Sequence, residues 1–283
     1  MGFPTGISGI ALMARAYNQA QKFGAEISIP TEAMSLRPIE DGDEGRFVLT
    51  LTGDQRTCAR SVVIASGARY RRLAVANLDA FEGSSVHYWA SPLEAKLCGG
   101  QEVALVGAGN SAGQATVYLA SQGAKVWLLV RGANLEASMS RYLIDRIRGL
   151  PNVEVVTQAN VSALEGQNGV LEALRWRTAA GQEERCAIRH LFLFIGAQPN
   201  TDWLAGSGVT LDAKGFIRTG PDAAPGRHAL ETSRRGVFAI GDVRSGSIKR
   251  VAAGVGEGAQ VVATLHSYLA VGERAPAPGV API

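Results

Sequence analysis

Apolar residues recur along the chain with two kinds of spacing. From Ser8 to Phe23 they return every three or four positions, which predicts an amphipathic helix capped by the serine. A second helix is predicted from Gly256 to Leu269. Short apolar runs bounded by glycine or polar residues predict strands at residues 47–52, 61–66, 102–106, 125–130, 153–156, 171–177, 187–195 and 236–240. Strands and helices that follow one another in this way predict an α/β fold.

The clearest unit of this pattern lies between residues 102 and 130. A buried strand, Glu102–Val106, is followed by a glycine turn, a helix from Ser111 to Ser121 and a second strand, Lys125–Val130. This order, within about 30 residues, predicts a βαβ unit.

The turn of this unit reads Gly107-x-Gly109-x-x-Ala112 and predicts a dinucleotide site. Gly107 permits the tight turn, Gly109 lets a pyrophosphate approach the backbone, and Ala112 allows close packing of the helix on the strand. The pyrophosphate would lie at the helix N-terminus, where Asn110 and Ser111 also offer backbone N–H groups. A glycine-rich strand–helix turn that binds no ligand is the alternative.

The residue after the second strand distinguishes the two nicotinamide cofactors. Arg131 stands there without an acidic neighbour. An arginine accommodates a ribose 2′-phosphate, whereas an acid would bind the 2′-hydroxyl, so the position favours NADPH over NADH. Arg141 follows after a turn and is interpreted as a solvated helix charge rather than as a second phosphate contact.

A second ligand-binding position follows the last predicted strand. The run Gly236–Ile240 ends at Gly241 and Asp242, which places a carboxylate at the carboxyl edge of a sheet, where α/β folds bind ligands. Asp242 can accept hydrogen bonds from sugar or ribityl hydroxyls, and an Asx turn without a ligand is the alternative.

Composition excludes several classes of protein. A chain of 283 residues with 46% hydrophobic and 19% charged residues has enough core for two domains or one large domain and is not disordered. Its net charge of +3 comes without a basic stripe, which argues against nucleic-acid binding. No apolar run approaches the roughly 18 residues that a membrane span requires, so no membrane association is predicted.

The three cysteines, Cys58, Cys98 and Cys186, are isolated from one another. They form no CxxC pair and no cluster with histidines at metal-ligand spacing, so no metal site is predicted. Scattered cysteines in odd number are typical of a reducing compartment and indicate a cytoplasmic protein. Buried structural thiols are the favoured interpretation of all three.

Several motifs together resemble those of the thioredoxin reductase-like flavoproteins, within the pyridine nucleotide-disulfide oxidoreductases. The matching segments are residues 2–4, 7–9, 64–68, 107–112, 194–196, 199–201, 231–233 and 236–242. The resemblance implies two nucleotide-binding, Rossmann-like, three-layer domains, with an NADPH domain inserted into an FAD domain. It assigns residues 1–83 and 197–270 to the FAD domain and residues 84–196 to the NADPH domain, with hinges at Gly83 and Gly196. The prolines of residues 271–283 predict a disordered tail.

The resemblance also implies an activity and further site residues. An oxidoreductase of this type passes a hydride from NADPH to FAD and then electrons to an acceptor, either a small protein or a small molecule, and a homodimer is implied as well. Lys249, Arg250 and Val251 would lie beside the pyrimidine edge of the flavin. The further residues implied to bind a cofactor are Gly196, Gly241, Asp242, Lys249, Arg250 and Val251.

The chain departs from the disulfide reductases at their redox pair. The CxxC cysteines correspond here to Ala90 and Leu93, so no catalytic residue is predicted there and the dithiol relay cannot run. The segment resembles instead the branch of the family without the redox pair. Thioredoxin-disulfide reduction through Cys98 or another cysteine is the alternative. His87 is interpreted as a packed or surface histidine rather than as a flavin or substrate contact.

A second departure concerns the adenine half of FAD. The family begins with a strand–GxGxxG–helix unit that holds this half, and no such unit precedes Gly107. The chain is therefore expected to be an N-terminally truncated sequence with an incomplete FAD domain, which binds NADPH but holds FAD poorly. An NADPH-binding redox sensor, or a fragment without turnover, is the remaining alternative.

Overall fold

The computed structural model of the chain describes residue 3 and residues 6–39, 47–123 and 125–272. Its helices are α1 (Gly9–Lys22), α2 (Pro92–Leu97), α3 (Asn110–Ser121), α4 (Arg141–Arg148) and α5 (Val251–Gly272). Its strands are β1 (Ala33–Pro38), β2 (Phe47–Leu51), β3 (Arg56–Ala59), β4 (Val62–Ile64), β5 (Ala68–Tyr70), β6 (Val86–His87), β7 (Glu102–Val106), β8 (Lys125–Val130), β9 (Val153–Thr157), β10 (Asn160–Gln167), β11 (Val170–Arg177), β12 (Glu183–Cys186), β13 (His190–Leu193), β14 (Ala197–Pro199) and β15 (Val237–Ala239). The chain divides into two units, one of residues 1–67 with 200–283 and one of residues 68–199.

The second unit, residues 68–199, is built in three layers on a parallel sheet. Its strands lie in the order β6-β13-β7-β8-β9, and all neighbouring pairs are parallel. Side chains of β7 alternate between two cores. Val103 and Leu105 pack with α3 and α4, whereas Ala104 and Val106 pack with β10 and β11 of an antiparallel sheet. All four are buried because both faces of the parallel sheet are covered.

The first unit, residues 1–67 and 200–283, is layered in a similar way. β4 and β15 form a parallel pair, and β1, β2 and β3 form an antiparallel sheet. Val237 and Ala239 of β15 pack with Phe47 of the antiparallel sheet, whereas Phe238 packs with Val261 of α5. The predicted α/β class with Rossmann-like parallel sheets is therefore confirmed.

The predicted N-terminal helix is observed as α1, but its apolar face is not buried. Ser8 caps the helix by accepting a hydrogen bond from the backbone N of Ala11 at 3.2 Å. An amphipathic stripe normally packs on a core. Here Ile10 is 86% exposed and Met13 is 68% exposed.

Other predicted elements differ from the structure at their ends. β7 and β8 coincide with their predicted runs, whereas the run at residues 187–195 is a strand only over His190–Leu193. α5 begins at Val251 rather than at Gly256 and continues to Gly272, so the first two residues of the predicted tail are helical. Glycines weaken a helix in isolation, but packing of α5 against β15 outweighs this cost. The rest of that tail, residues 273–283, lies outside the described residues.

The chain passes between the units at residues 67/68 and 199/200. The predicted linker Gly83–Ser85 lies inside the second unit, where Ser85 Oγ accepts a hydrogen bond from the backbone N of Leu171 at 3.0 Å. Phe81 is buried in the core of the same unit. Residues 68–83 thus belong with the second unit, and Gly196 does as well. The assignment of FAD to one unit and NADPH to the other stays a prediction.

Candidate functional site

The turn between β7 and α3, residues 107–109, is hereafter the glycine turn, and its first residue is closely enclosed. A Cβ on Gly107 would lie 2.7 Å from the carbonyl oxygen of Phe194 and 2.9 Å from the Cβ of Ala112. Ala112 is fully buried, so α3 lies directly against the sheet. A Cβ on Gly113 would lie 2.8 Å from the Sδ of Met139. These contacts fix the turn and the start of α3 at the carboxyl edge of the parallel sheet.

Gly109 faces open space at the N-terminus of α3. No described atom lies within 4 Å of the position its Cβ would take, and no side chain caps the helix there. The backbone N of Gly113 donates to the carbonyl of Gly109 at 3.0 Å. The N–H groups of Asn110, Ser111 and Ala112 therefore have no carbonyl partner within the helix. Open space before such groups, at the positive end of a helix dipole, fits the pyrophosphate of a dinucleotide.

Arg131 follows β8, beside the glycine turn. The backbone N of Gly107 donates to the carbonyl of Leu129 at 3.1 Å, which places the end of β8 next to the turn. Arg131 is exposed and has no ion-pair partner in the part of the chain that the structure describes. Arg141 instead pairs with Asp145 at 3.0 Å on an exposed face of α4. Arg131 is thus available to a ligand, and Arg141 is engaged as a helix charge.

Two serines that sequence reasoning missed bind the following segment to the glycine turn. Ser138 Oγ donates to the carbonyl of Ala108 at 2.8 Å. The N and Oγ of Ser140 both donate to Oδ1 of Asn110, at 2.7 Å and 3.0 Å. No sequence pattern announces these bonds, because each joins residues 30 positions apart.

The predicted flavin residues of the first unit follow β4 and β15. Ile64 pairs with Ala239 in parallel register, so Ser66 and Asp242 follow at the same edge. The side chain of Asp242 is half-exposed and has no hydrogen-bond partner among the described residues. A free carboxylate at this edge fits the hydroxyl side of a flavin nucleotide. The described part of this unit contains no strand–glycine turn–helix for the phosphates.

Other residues predicted to bind a cofactor have different surroundings. Lys249 Nζ lies 4.3 Å from the ring centroid of Phe216. Arg250 Nη1 donates to the carbonyl of Lys249 at 2.8 Å. Val251 begins α5 and is 61% exposed. Gly196 lies in the second unit, where its carbonyl accepts a hydrogen bond from the backbone N of Arg71 at 3.0 Å. These four residues remain predictions.

Glu257 of α5, which sequence reasoning also missed, binds the turn that carries Asp242. Its carboxylate accepts hydrogen bonds from the backbone N of Gly241 at 2.6 Å and from Nε of Arg244 at 3.2 Å. Burial alone would raise the pKa of Glu257, but these hydrogen bonds outweigh it and lower the pKa below its usual value. The available signal was an acid between two glycines in an otherwise apolar helix.

The cysteines do not form a redox site in the second unit. Leu93, which stands where the disulfide reductases have a CxxC cysteine, is 66% exposed in α2. Cys98 follows that helix and is fully buried, and burial raises the pKa of its thiol to about 11. Burial likewise raises the pKa of Cys186. Buried thiols that stay protonated are poor nucleophiles. Cys58, in the first unit, is exposed, which contradicts the interpretation that all three are buried.

His87 forms a buried pair with His190 on adjacent strands. The Nε2 of His87 lies 3.2 Å from the Nδ1 of His190, and the rings stack. Burial, and then the neighbouring His190, lower the pKa of His87 to about 4. With 7% of its surface exposed, His87 is a packed histidine, as predicted.

Two further properties bear on the kind of site. Among the described residues, no three or more His, Cys, Asp or Glu side chains are grouped closely enough to hold a metal ion. None of the described helices is both long and apolar enough to cross a membrane.

The parallel sheets and the glycine turn define an α/β protein of the dinucleotide-binding class. Residues 8–258 match the family model described as pyridine nucleotide-disulphide oxidoreductase, and the chain belongs to that family. The predicted thioredoxin reductase-like resemblance is thereby confirmed, together with the class of FAD- and NAD(P)H-dependent oxidoreductases.

Individual relatives are similar over most of this chain. An alkyl hydroperoxide reductase from Pseudomonas putida is 32% identical over 92% of this chain and 48% of its own length. Thioredoxin reductase of Eremothecium gossypii is 29% identical over 95% of this chain and 81% of its own. The crystal structure of thioredoxin reductase from Streptococcus pyogenes has a TM-score of 0.68 at 26% identity, over 95% of this chain and 84% of that one. The chain thus spans about half of the first relative and about four fifths of the other two.

Proposed function

We propose that this protein binds NADPH and passes its hydride to FAD. The observation that carries the proposal is the glycine turn, where Gly109 leaves open space before the outward N–H groups of α3. FAD, when bound, supplies the acceptor for the hydride and releases electrons onward.

In this proposal each unit serves one cofactor. In the second unit, the N–H groups of Asn110, Ser111 and Ala112 bind the pyrophosphate, and Arg131 binds the 2′-phosphate that distinguishes NADPH from NADH. In the first unit, Asp242 accepts hydrogen bonds from hydroxyls of FAD, and Glu257 orients the turn that carries it. The chain's own contribution is to hold and orient the two cofactors.

The proposed electron acceptor is a small protein or small molecule reached without a protein dithiol. The support is the state of Cys98, which is buried and has a raised pKa. Disulfide reduction is the second candidate, favoured by the names of the relatives in Eremothecium gossypii and Streptococcus pyogenes. We also propose a cytoplasmic location, on the unpaired state of the three cysteines, and a homodimer, on the family alone.

The test is the visible absorption spectrum of the purified chain, supplemented with FAD, before and after anaerobic addition of NADPH. We expect flavin bands that bleach with NADPH and bleach more slowly with NADH. A protein that acquires no flavin bands in excess FAD contradicts the flavin half of the proposal. Bands that persist after NADPH contradict hydride transfer.

The two candidate acceptor classes are separated by a cysteine variant. We expect C98A to bleach like the wild type and to leave any measured disulfide reduction unchanged. Disulfide reduction that is present in the wild type and lost in C98A, with NADPH-dependent bleaching intact, would establish the second candidate.

A further inference from the structure

The tether segment, defined here as residues 132–140, joins β8 to α4 and lies against the start of α3. Leu135 and Met139 are each 5% exposed and pack in the core with α3 and α4. The backbone N of Gln158 donates to the carbonyl of Gly132 at 2.9 Å, which holds the beginning of the segment. The rest of its path therefore depends on the polar contacts that its serines make.

The serines of the tether segment bond to the glycine turn rather than within their own segment. A serine at the N-cap of a helix normally accepts a hydrogen bond from the first turn. Ser140 is the N-cap residue of α4, but its side chain makes no such bond. Its Oγ donates instead to Oδ1 of Asn110 at 3.0 Å, and Ser138 Oγ donates to the carbonyl of Ala108 at 2.8 Å. These bonds stabilise the spacing between the starts of α3 and α4 rather than either helix.

That spacing matters for a ligand with two phosphate positions on one ribose. The pyrophosphate of NADPH leaves the ribose at its 5′ carbon, and the extra phosphate is attached at the 2′ carbon. The groups that bind them must therefore keep a fixed separation. Asn110 begins α3, which faces the pyrophosphate in the proposed function, and Arg131 immediately precedes the tether segment.

We infer that Ser138 and Ser140 are positioning residues that hold Arg131 at the 2′-phosphate and so set the preference for NADPH over NADH. The inference rests on the proposed function, since it presupposes that Arg131 binds this phosphate. Neither serine needs to touch the ligand. Each acts through the contact between the tether segment and the glycine turn.

The test is isothermal titration calorimetry of the full chain and its S138A/S140A variant with NADPH, NADH and adenosine 2′,5′-bisphosphate. Two lost hydrogen bonds predict a Kd for NADPH and for the bisphosphate that rises about threefold to tenfold. The Kd for NADH should stay within about twofold, since it lacks the 2′-phosphate. S138T/S140T, which retains both hydroxyl donors, should recover most of the affinity for NADPH.

The matched control is S121A, which removes an exposed hydroxyl at the other end of α3, where Ser121 Oγ donates to the carbonyl of Tyr118 at 2.6 Å. It should leave all three affinities unchanged. Equal weakening of NADPH and NADH, or no change for either, overturns the inference while the proposed function stands. A wild-type chain that binds none of the three ligands overturns the proposed function itself. If the double variant unfolds, S138A alone gives the same comparison.

Discussion

Gly107 and Gly109 stand two positions apart in one turn, but their surroundings assign them different roles. Gly107 is enclosed by backbone and by Ala112, whereas Gly109 faces open space. Within the described structure, the first glycine therefore serves the fold, and the second leaves room for a ligand.

This difference predicts opposite effects of alanine at the two positions. G107A should lower the free energy of unfolding by about 1–3 kcal/mol, because the added methyl has no room. G109A should cost less than about 1 kcal/mol, since its φ of −90° suits alanine, but should weaken NADPH binding at least about tenfold. Urea unfolding and calorimetric titration of both variants check this. A G109A variant that binds NADPH like the wild type would contradict the assigned role.

His87 predicts a pH dependence of stability. Its pKa falls from an ordinary value of 6.5 to about 4 on burial, so between these values the unfolded chain binds a proton that the folded chain does not. Stability should therefore decrease as the pH falls through this window, by up to about 3 kcal/mol from this residue. H87Q should reduce the dependence, and H266Q, at an exposed position, should not. Equal pH profiles of the free energy of unfolding in wild type and H87Q would refute this assignment.

Among the elements, α5 is held to the turn after β15 by Glu257. E257Q should lower the free energy of unfolding by about 1–3 kcal/mol at neutral pH, because a charged acceptor for Arg244 and for the Gly241 N–H is lost. The pKa of Glu257 is lowered in the fold, so its contribution is present at neutral pH and is lost as the pH falls below its unfolded value near 4.5. The difference between wild type and E257Q in urea unfolding should shrink accordingly.

The control for Glu257 is E26Q, which replaces an exposed acid in the same unit. Its free energy of unfolding should match that of the wild type at both neutral and acidic pH. A difference between wild type and E257Q that is the same at every pH would mean that the carboxylate acts through packing and not through its charge.

In the molecule as a whole, the two units differ in how the chain forms them. Residues 68–199 are one continuous segment that contains two cores on the two faces of its sheet, whereas the first unit combines two separate segments. We expect residues 68–199 expressed alone to unfold cooperatively and to bind NADPH within about threefold of the full chain's Kd. Circular dichroism and calorimetry test this, with G109A in the same segment as the non-binding control. An unfolded segment would show that its cores depend on the rest of the chain.

The elements that could be predicted from sequence are those whose signals are local. β7 and β8 match their predicted runs, because buried parallel strands read as continuous apolar stretches. β1 and α4 were not predicted. β1 is partly exposed and mixed in composition, and α4 spans only eight residues, so neither gives a long periodic signal.

Residues that follow one another along the chain are enough to establish the family, the βαβ unit and the position of the glycine turn. Only the folded chain shows where the units divide, which thiols are buried, and that Ser138, Ser140 and Glu257 support the two candidate sites. These features depend on contacts between residues far apart in sequence. Burial and hydrogen bonding at such contacts are set by packing and leave no periodic trace in the chain.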